Sequence, residues 1–228
     1  MYNEEDYVLL LLDKLNKVKL PSFVSSSEIL IIDDCSTDDS VKKVTESTSG
    51  NNIQVIKQEK NMGKGAAVKR GFLECTGDTI LIQDADLELD PNDIPLLLTA
   101  MHDLDVKFVN GSRYLPGPVR PLSSYRRYLA NRFFTFLTAI LINVKLTDMA
   151  CGYKLFKKEL LNKIKLKENR FGFEAELILK ALRIRKDIVA EVPVKYYPRN
   201  AGQGKKLKMR DGFKILWTIF KYGVLKLK

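Results

Sequence analysis

Three short runs rich in aliphatic and β-branched residues, Glu28 to Asp33, Ile53 to Gln58 and Asp78 to Gln83, alternate with segments of helical periodicity. A strand with apolar residues at consecutive positions has no face to give to water, so such runs belong in a sheet covered by helices on both sides. The pattern predicts an α/β fold built on a doubly wound, mostly parallel sheet. Ligands of these sheets lie beyond the carboxyl ends of the strands. Polar clusters fall there each time: Asp33-Asp34, then Asn61 to Gly65, then Asp84-Ala85-Asp86. Helices are predicted over about Glu5 to Val18, Asp38 to Glu46 and Gly65 to Glu74. The less regular second half is expected to hold a strand near Val106 to Gly111, a long helix from Ser123 to about Asn143, a helix from Glu174 to Arg185, a strand from Ile188 to Tyr196 and a terminal helix.

With 228 residues and no linker-like stretch, the chain reads as one domain over 1–228. Its formal charge of +10 calls for an anionic partner: nucleic acid, a phosphate-bearing substrate or an anionic lipid surface. Nucleic acid is the weakest of these, since no binding motif or aromatic platform accompanies the charge. The three cysteines are far apart, which excludes a zinc cluster and fits a reduced, cytosolic compartment. No signal peptide is recognised, and the longest apolar run, Phe133 to Val144, is too short to cross a bilayer. Residues 123–147 and 209–228 mix basic residues with Phe133, Phe134, Phe136, Trp217 and Phe220, the composition of an interfacial helix. Core-facing amphipathic helices would have the same composition.

Asp84 and Asp86 are two apart at the end of a strand, with Glu88 two further on. Adjacent carboxylates repel unless a cation lies between them, and an all-oxygen set suits Mg²⁺ or Mn²⁺ shared with a diphosphate. A bare Asp-x-Asp before Pro91 is, by itself, more often a solvated turn. Lys64, flanked by Gly63 and Gly65, opens a helix whose free N–H groups favour anions. Asp34 is placed to accept from a base or ribose, although Ser36-Thr37-Asp38 beside it also caps a helix.

Taken together, Tyr2-Asn3-Glu4-Glu5, Asp33-Asp34-Cys35-Ser36-Thr37-Asp38, Asn61-x-Gly-Lys-Gly-Ala-Ala, Asp84-Ala-Asp-Leu, Gly111-Ser-Arg113, Asp148 with Cys151-Gly-Tyr-Lys, and Phe171-Gly-Phe-Glu174 resemble, in order, the family 2 glycosyltransferases of the GT-A fold. Within that family the chain is similar to the dolichol-phosphate mannose synthase and polyprenyl-phosphate glucosyltransferase group. The resemblance implies that Tyr2, Glu4 and Asp34 contact the nucleoside, that Lys64 sits near its phosphates and that Asp84, Asp86 and Glu88 hold the metal. It also implies a cationic cradle for donor and acceptor phosphates, formed by Arg113, Arg126 or Arg127, Arg199, and Lys205 or Lys206. Asp86, Arg113, Arg126 and Arg199 are expected to matter most for catalysis.

The chain departs from the family in two places. A β-strand normally ends in Pro-x-Tyr-Asn-Glu, whereas Met1 stands directly before Tyr2, so the first strand is expected to be missing. Near the acceptor arginine, Ala130 or Asn131 replaces a serine. The activity implied is inverting transfer of a hexose from GDP-mannose or UDP-glucose to a polyprenyl phosphate, on the cytoplasmic face of a membrane. The competing expectations are a glycan hydroxyl acceptor, with Glu174 or Asp148 as base, and a catalytically silent binding module.

Overall fold

The computed structural model describes residues 1–47, 53–116, 124–184, 189–199 and 209–226. The elements run α1 (Val8–Lys17), β1 (Ile29–Asp33), α2 (Ser40–Ser47), β2 (Ile53–Lys57), α3 (Lys64–Glu74) and β3 (Thr79–Ile82). They continue with α4 (Ile94–Asp103), β4 (Phe108–Ser112), α5 (Tyr125–Ile142), β5 (Lys154–Lys157), α6 (Lys158–Leu161), α7 (Phe173–Ile184), β6 (Val189–Pro193) and α8 (Met209–Ile219). The α/β alternation expected from the strand runs is present.

The sheet is divided. β1 and β2 form a parallel pair, Ile29 opposite Ile53 through Asp33 opposite Lys57. A separate four-stranded sheet has the order β3-β5-β4-β6. Within it β3, β4 and β6 run one way, and β5 alone opposes them. β1 and β3 do not pair, and each ends its own sheet among the described residues.

Three elements went unread in the sequence: β5, α4 and the four-residue α6. β5 is only four residues long, Lys154-Leu-Phe-Lys157, and its charged ends hide a strand that is buried up to its last residue. Lys154 is 1% exposed because its ammonium donates to Asn110 Oδ1 and to the carbonyls of Met149 and Cys151, at 3.1, 3.0 and 2.6 Å. α4 begins with Pro95 in its first turn, where a missing N–H costs nothing, although proline disguises the apolar period.

Strand alternation divides the core. Phe108 and Phe156 point to the side packed by Phe173, Leu177 and Ile178 of α7 with Ile215 and Ile219 of α8. Val109 and Leu155 point the other way, onto Leu97 and Met101 of α4. Most of α7 is buried, and even Glu176 is 0% exposed, its carboxylate taken up by the N–H groups of Lys167 and Glu168 and by Lys180. A smaller cluster, Val8, Leu12, Ile31 and Val44, holds α1 and α2 to the two-stranded pair.

The start of α3 is pressed against the segment before α7. A Cβ on Gly65 would lie 2.5 Å from the Glu168 carbonyl and 2.7 Å from Phe173 Cβ, whereas one on Gly71 would meet Ile32 at an ordinary 3.4 Å. Gly65→Ala is therefore expected to destabilise the fold by about 1–3 kcal/mol through overpacking. Gly71→Ala, in the helix interior, is expected to be neutral or to stabilise by up to about 1 kcal/mol. Urea unfolding midpoints of the two variants check the pair.

Candidate active site

The carboxyl ends of β1 and β3 and the amino ends of α3 and α7 converge on a cleft of about 2570 Å³, lined by Tyr2, Glu4, Asp34, Lys64, Asp84, Asp86, Glu174 and Arg199. At its centre the Lys64 ammonium lies 2.8 Å from Asp84 Oδ2 and 2.7 Å from Glu174 Oε1. Burial alone would lower the lysine's pKa, but the two carboxylates outweigh it and hold the group above the usual lysine range. Burial likewise works to raise Asp84, and Lys64 reverses it, leaving Asp84 below its ordinary value.

Asp86 has the opposite fate. Burial, reinforced by the negative charges of Asp84 and Glu88, pushes its carboxyl up to about 6. Its Oδ1 accepts from the Glu88 N–H across a tight turn in which Leu87 takes φ 54°. A cavity of about 60 Å³ opens among Asp84, Asp86, Glu88, Gly152 and Glu174, room for a small ion and water. The chain's approach there depends on Gly152, whose Cβ would lie 2.4 Å from Asp84 Oδ2. An under-compensated carboxylate beside such a cavity fits a hard divalent cation.

The expected trio of metal ligands is not assembled. Among the described residues no three His, Cys, Asp or Glu groups are placed to hold an ion together. The reason is Glu88, which has turned toward the segment before residue 200: it accepts from the Arg199 N–H at 2.9 Å and from the Tyr196 hydroxyl at 3.1 Å. Asp84 and Asp86 border the cavity together with Glu88 and Glu174.

Arg199 binds the ends of the chain together. Its guanidinium pairs with the buried Glu4, donates to the Asp86 carbonyl at 2.9 Å and lies 4.1 Å over the Tyr7 ring. Tyr2 and Glu4 thereby line the cleft opposite Asp84.

Asp34 is fastened to protein. It accepts from Gln58 Nε2 and from the N–H groups of Met62 and Gly63, at 2.7, 2.8 and 2.8 Å. Gly63 turns there with φ 97°. The Ala66 N–H goes to Gly63 and Asn169 carbonyls, and the Ala67 N–H goes to Gly63. The N–H groups of Met62, Gly63, Ala66 and Ala67 are thus taken up within the protein, and Lys64 reaches the cleft from the same loop.

Arg113 is also committed. Its Nε and Nη2 bond Asp148 at 2.7 and 2.8 Å, and Asp148, 0% exposed, takes a further bond from Asn131. Burial opposes both charges, yet each partner overrides it, Arg113 rising and Asp148 falling from their ordinary values. A base role for Asp148 has no free oxygen to work with. Arg113 still faces the cleft, 5.0 Å from the Tyr196 ring. Arg126 and Arg127, exposed on the first turn of α5, border the same cleft. Lys205 and Lys206 lie outside the described residues. Sequence reading missed Tyr196, Tyr7 and Gly152; only Gly152, inside the Cys151-Gly-Tyr-Lys motif, carried a signal.

The conserved profile described as Glycosyl transferase family 2 matches residues 1–165, and the chain belongs to that family, with the GT-A fold. Dolichyl-phosphate beta-glucosyltransferase of Dictyostelium discoideum is 34% identical over 210 residues, aligning 86% of this chain and 64% of that protein. Dolichol-phosphate mannosyltransferase of Pyrococcus furiosus is 30% identical over 197 residues, 85% of this chain and 54% of the other. The chain thus spans between half and two-thirds of those two relatives. It covers 84% of undecaprenyl-phosphate mannosyltransferase of Micrococcus luteus, at 28% identity and 90% of its own length. Among solved structures, glucosyl-3-phosphoglycerate synthase from Mycobacterium tuberculosis, crystallised with Mn²⁺, UDP and glucosyl-3-phosphoglycerate, superposes with a TM-score of 0.71. That match takes in 98% of this chain and 77% of the other, and at 18% identity it is a likeness of fold.

The two aspartate environments predict opposite outcomes. Asp86→Asn removes a repelled buried charge and is expected to raise stability by about 1–2 kcal/mol while abolishing cation binding. Asp148→Asn leaves Arg113 buried without its counter-charge and is expected to cost about 3–5 kcal/mol. Thermal unfolding with and without Mn²⁺ measures both.

Proposed function

We propose that this protein transfers a hexose from a nucleoside diphosphate sugar to a polyprenyl phosphate at a membrane surface, with inversion at the anomeric carbon. The observation that carries the reading is the under-compensated Asp86 beside a cation-sized cavity in a cleft that is bordered at the α5 end by exposed arginines. The lipid-phosphate relatives supply the acceptor class.

In this reading Tyr2 and Glu4 flank the nucleoside, and Lys64 moves from its two carboxylates toward the diphosphate. Asp84 and Asp86 would hold Mg²⁺ or Mn²⁺, which would supply charge neutralisation for the departing diphosphate. Arg126 and Arg127 gather the acceptor phosphate, with Arg199 and the Lys205-Lys206 segment on the donor side. An acceptor phosphate oxygen attacks the anomeric carbon in line; the bond to the diphosphate oxygen breaks and its electron pair leaves with the nucleotide. The acceptor is already ionised at neutral pH, so no side chain need take a proton. Asp34 contributes by fixing the Asn61–Gly65 loop, and with it Lys64.

Membrane docking is supported by the surface of α5 and α8. Leu129, Phe133, Phe136 and Ile140 form an exposed stripe along α5 at helical spacing, and Phe213, Trp217 and Phe220 form another along α8. The two helices touch where Phe134 lies against Gly212. Exposed aromatic and aliphatic residues beside Arg126, Arg127 and Lys214 suit the interface of an anionic leaflet, and we place the protein on its cytoplasmic face. Among the described residues no helix is long and apolar enough to cross a membrane.

The hydroxyl-acceptor alternative retains Glu174 as its base, since Asp148 is locked by Arg113. A screen of GDP- and UDP-sugars with Mn²⁺ separates the two: the lipid reading expects diphosphate release that depends on a polyprenyl phosphate, with Asp86→Ala lowering turnover by at least about 10²-fold. Release driven only by a sugar hydroxyl acceptor, and abolished by Glu174→Gln, replaces it. Phe136→Ser with Trp217→Ser is expected to weaken co-sedimentation with anionic liposomes in a way that high salt does not mimic, because the lost contribution is apolar.

A further inference from the structure

Two of the carboxylates that border the cation-sized cavity already share a cation of the chain's own. Asp84 and Glu174 both accept from the Lys64 ammonium, at 2.8 and 2.7 Å. Lys64 borders the larger cleft, and its side chain is 24% exposed. The other side-chain cations nearby have their strongest partners elsewhere. Arg113 pairs with Asp148, and Arg199 with Glu4. Lys154, whose charge also acts on Asp84, is 1% exposed and held by Asn110 and the carbonyls of Met149 and Cys151. Lys64 is thus the cation whose partners are the cavity's own carboxylates.

Only its side chain has to move for those carboxylates to be freed. The backbone around it is fixed: Asp34 takes the N–H groups of Met62 and Gly63, and the Asn169 carbonyl takes that of Ala66. A lysine carries its charge at the end of a flexible aliphatic stem, so the ammonium can swing while the loop stays in place. A divalent cation that enters alone is repelled by the ammonium and finds Asp84 and Glu174 engaged. A diphosphate that enters alone meets Asp84, Asp86 and Glu174 with a single ammonium among them.

We propose that Lys64 is a resident counter-cation that makes the binding of a divalent cation and of a nucleoside diphosphate depend on each other. When both arrive, the ammonium exchanges its carboxylates for diphosphate oxygens, and the carboxylates exchange the ammonium for the cation. Each ligand removes the penalty that the other meets alone. By linkage, the factor that the diphosphate adds to cation affinity is the factor that the cation adds to diphosphate affinity. The inference rests on the reading that Asp84 and Asp86 hold the cation, and adds that Lys64 guards that site until a diphosphate draws it away.

The test titrates Mn²⁺ into the nucleotide-free full chain and its Lys64→Met, Lys64→Gln and Lys64→Arg variants, reading free Mn²⁺ by electron paramagnetic resonance. Lys64→Met is expected to bind Mn²⁺ at least about tenfold more tightly than the unsubstituted chain, a coupling of ordinary size between charged sites. Lys64→Gln, whose amide still donates to a carboxylate, is expected to shift the same way and carries the test if the methionine variant does not fold. Lys64→Arg keeps the charge and is expected to stay weak. Saturating GDP or UDP is expected to raise Mn²⁺ affinity at least about tenfold more in the unsubstituted chain than in the neutral variants. Equal Mn²⁺ affinities in the unsubstituted chain and the neutral variants, with equal gains from nucleotide, would overturn the inference and leave the cation reading in place. Tightening in Lys64→Arg to match Lys64→Met also overturns it, because the effect then belongs to packing and not to charge. If none of the four proteins binds Mn²⁺, with or without nucleotide, the cation reading itself fails and takes this inference with it.

Discussion

The Lys64 ammonium, held between Asp84 and Glu174, is the interaction on which the arrangement of the cleft depends. It joins the start of α3, the end of β3 and the first turn of α7, three elements distant in sequence, through bonds of 2.8 and 2.7 Å. Charge-assisted bonds of this kind, about a quarter exposed, are stronger than surface pairs because water screens them less. The loop that carries Lys64 is fixed in turn by Asp34, and α3 comes close enough only because Gly65 leaves room for the backbone at Glu168. Remove the lysine and two carboxylates face each other with Asp86 close by.

That arrangement divides the charged residues of the cleft into two kinds. Asp148 and Arg113 satisfy each other in the interior, and Glu4 and Arg199 do the same across the mouth of the cleft. Arg113, Glu4 and Arg199 also line the cleft. Asp86 is different, because its neighbours raise its proton affinity instead of compensating its charge. A buried carboxyl in that condition weakens the fold, and groups perturbed in this way cluster at functional sites.

Much of this was legible in the residues. The runs at Ile29 and Ile53 and the acidic pair after Ile82 were placed correctly at strand ends, because apolar continuity and turn chemistry are local properties. β5 was not legible: its Lys154 reads as surface, and only the carbonyls of Met149 and Cys151, brought round by the turn before it, make its burial tolerable. Glu88 was read as a ligand from its spacing, but the chain returning through Tyr196 and Arg199 claims it. Nor does the sequence reveal that Asp34 takes the N–H groups of Met62 and Gly63 and that the Asn169 carbonyl takes that of Ala66.

By itself, the sequence determined the α/β alternation, the acidic and glycine-rich clusters at the strand ends, and the basic and aromatic character of the two helices at the α5 and α8 positions. These follow from periodicity, backbone propensity and composition, which act over a few residues. The tertiary structure alone decided which charges pair: Arg113 with Asp148, Arg199 with Glu4, and Lys64 with Asp84 and Glu174, while Asp86 lies beside the charges of Asp84 and Glu88. It also decided that the sheet is divided at β1 and β3. Pairing between residues tens to hundreds of positions apart is settled by geometry and desolvation in the folded chain, and no local pattern encodes it.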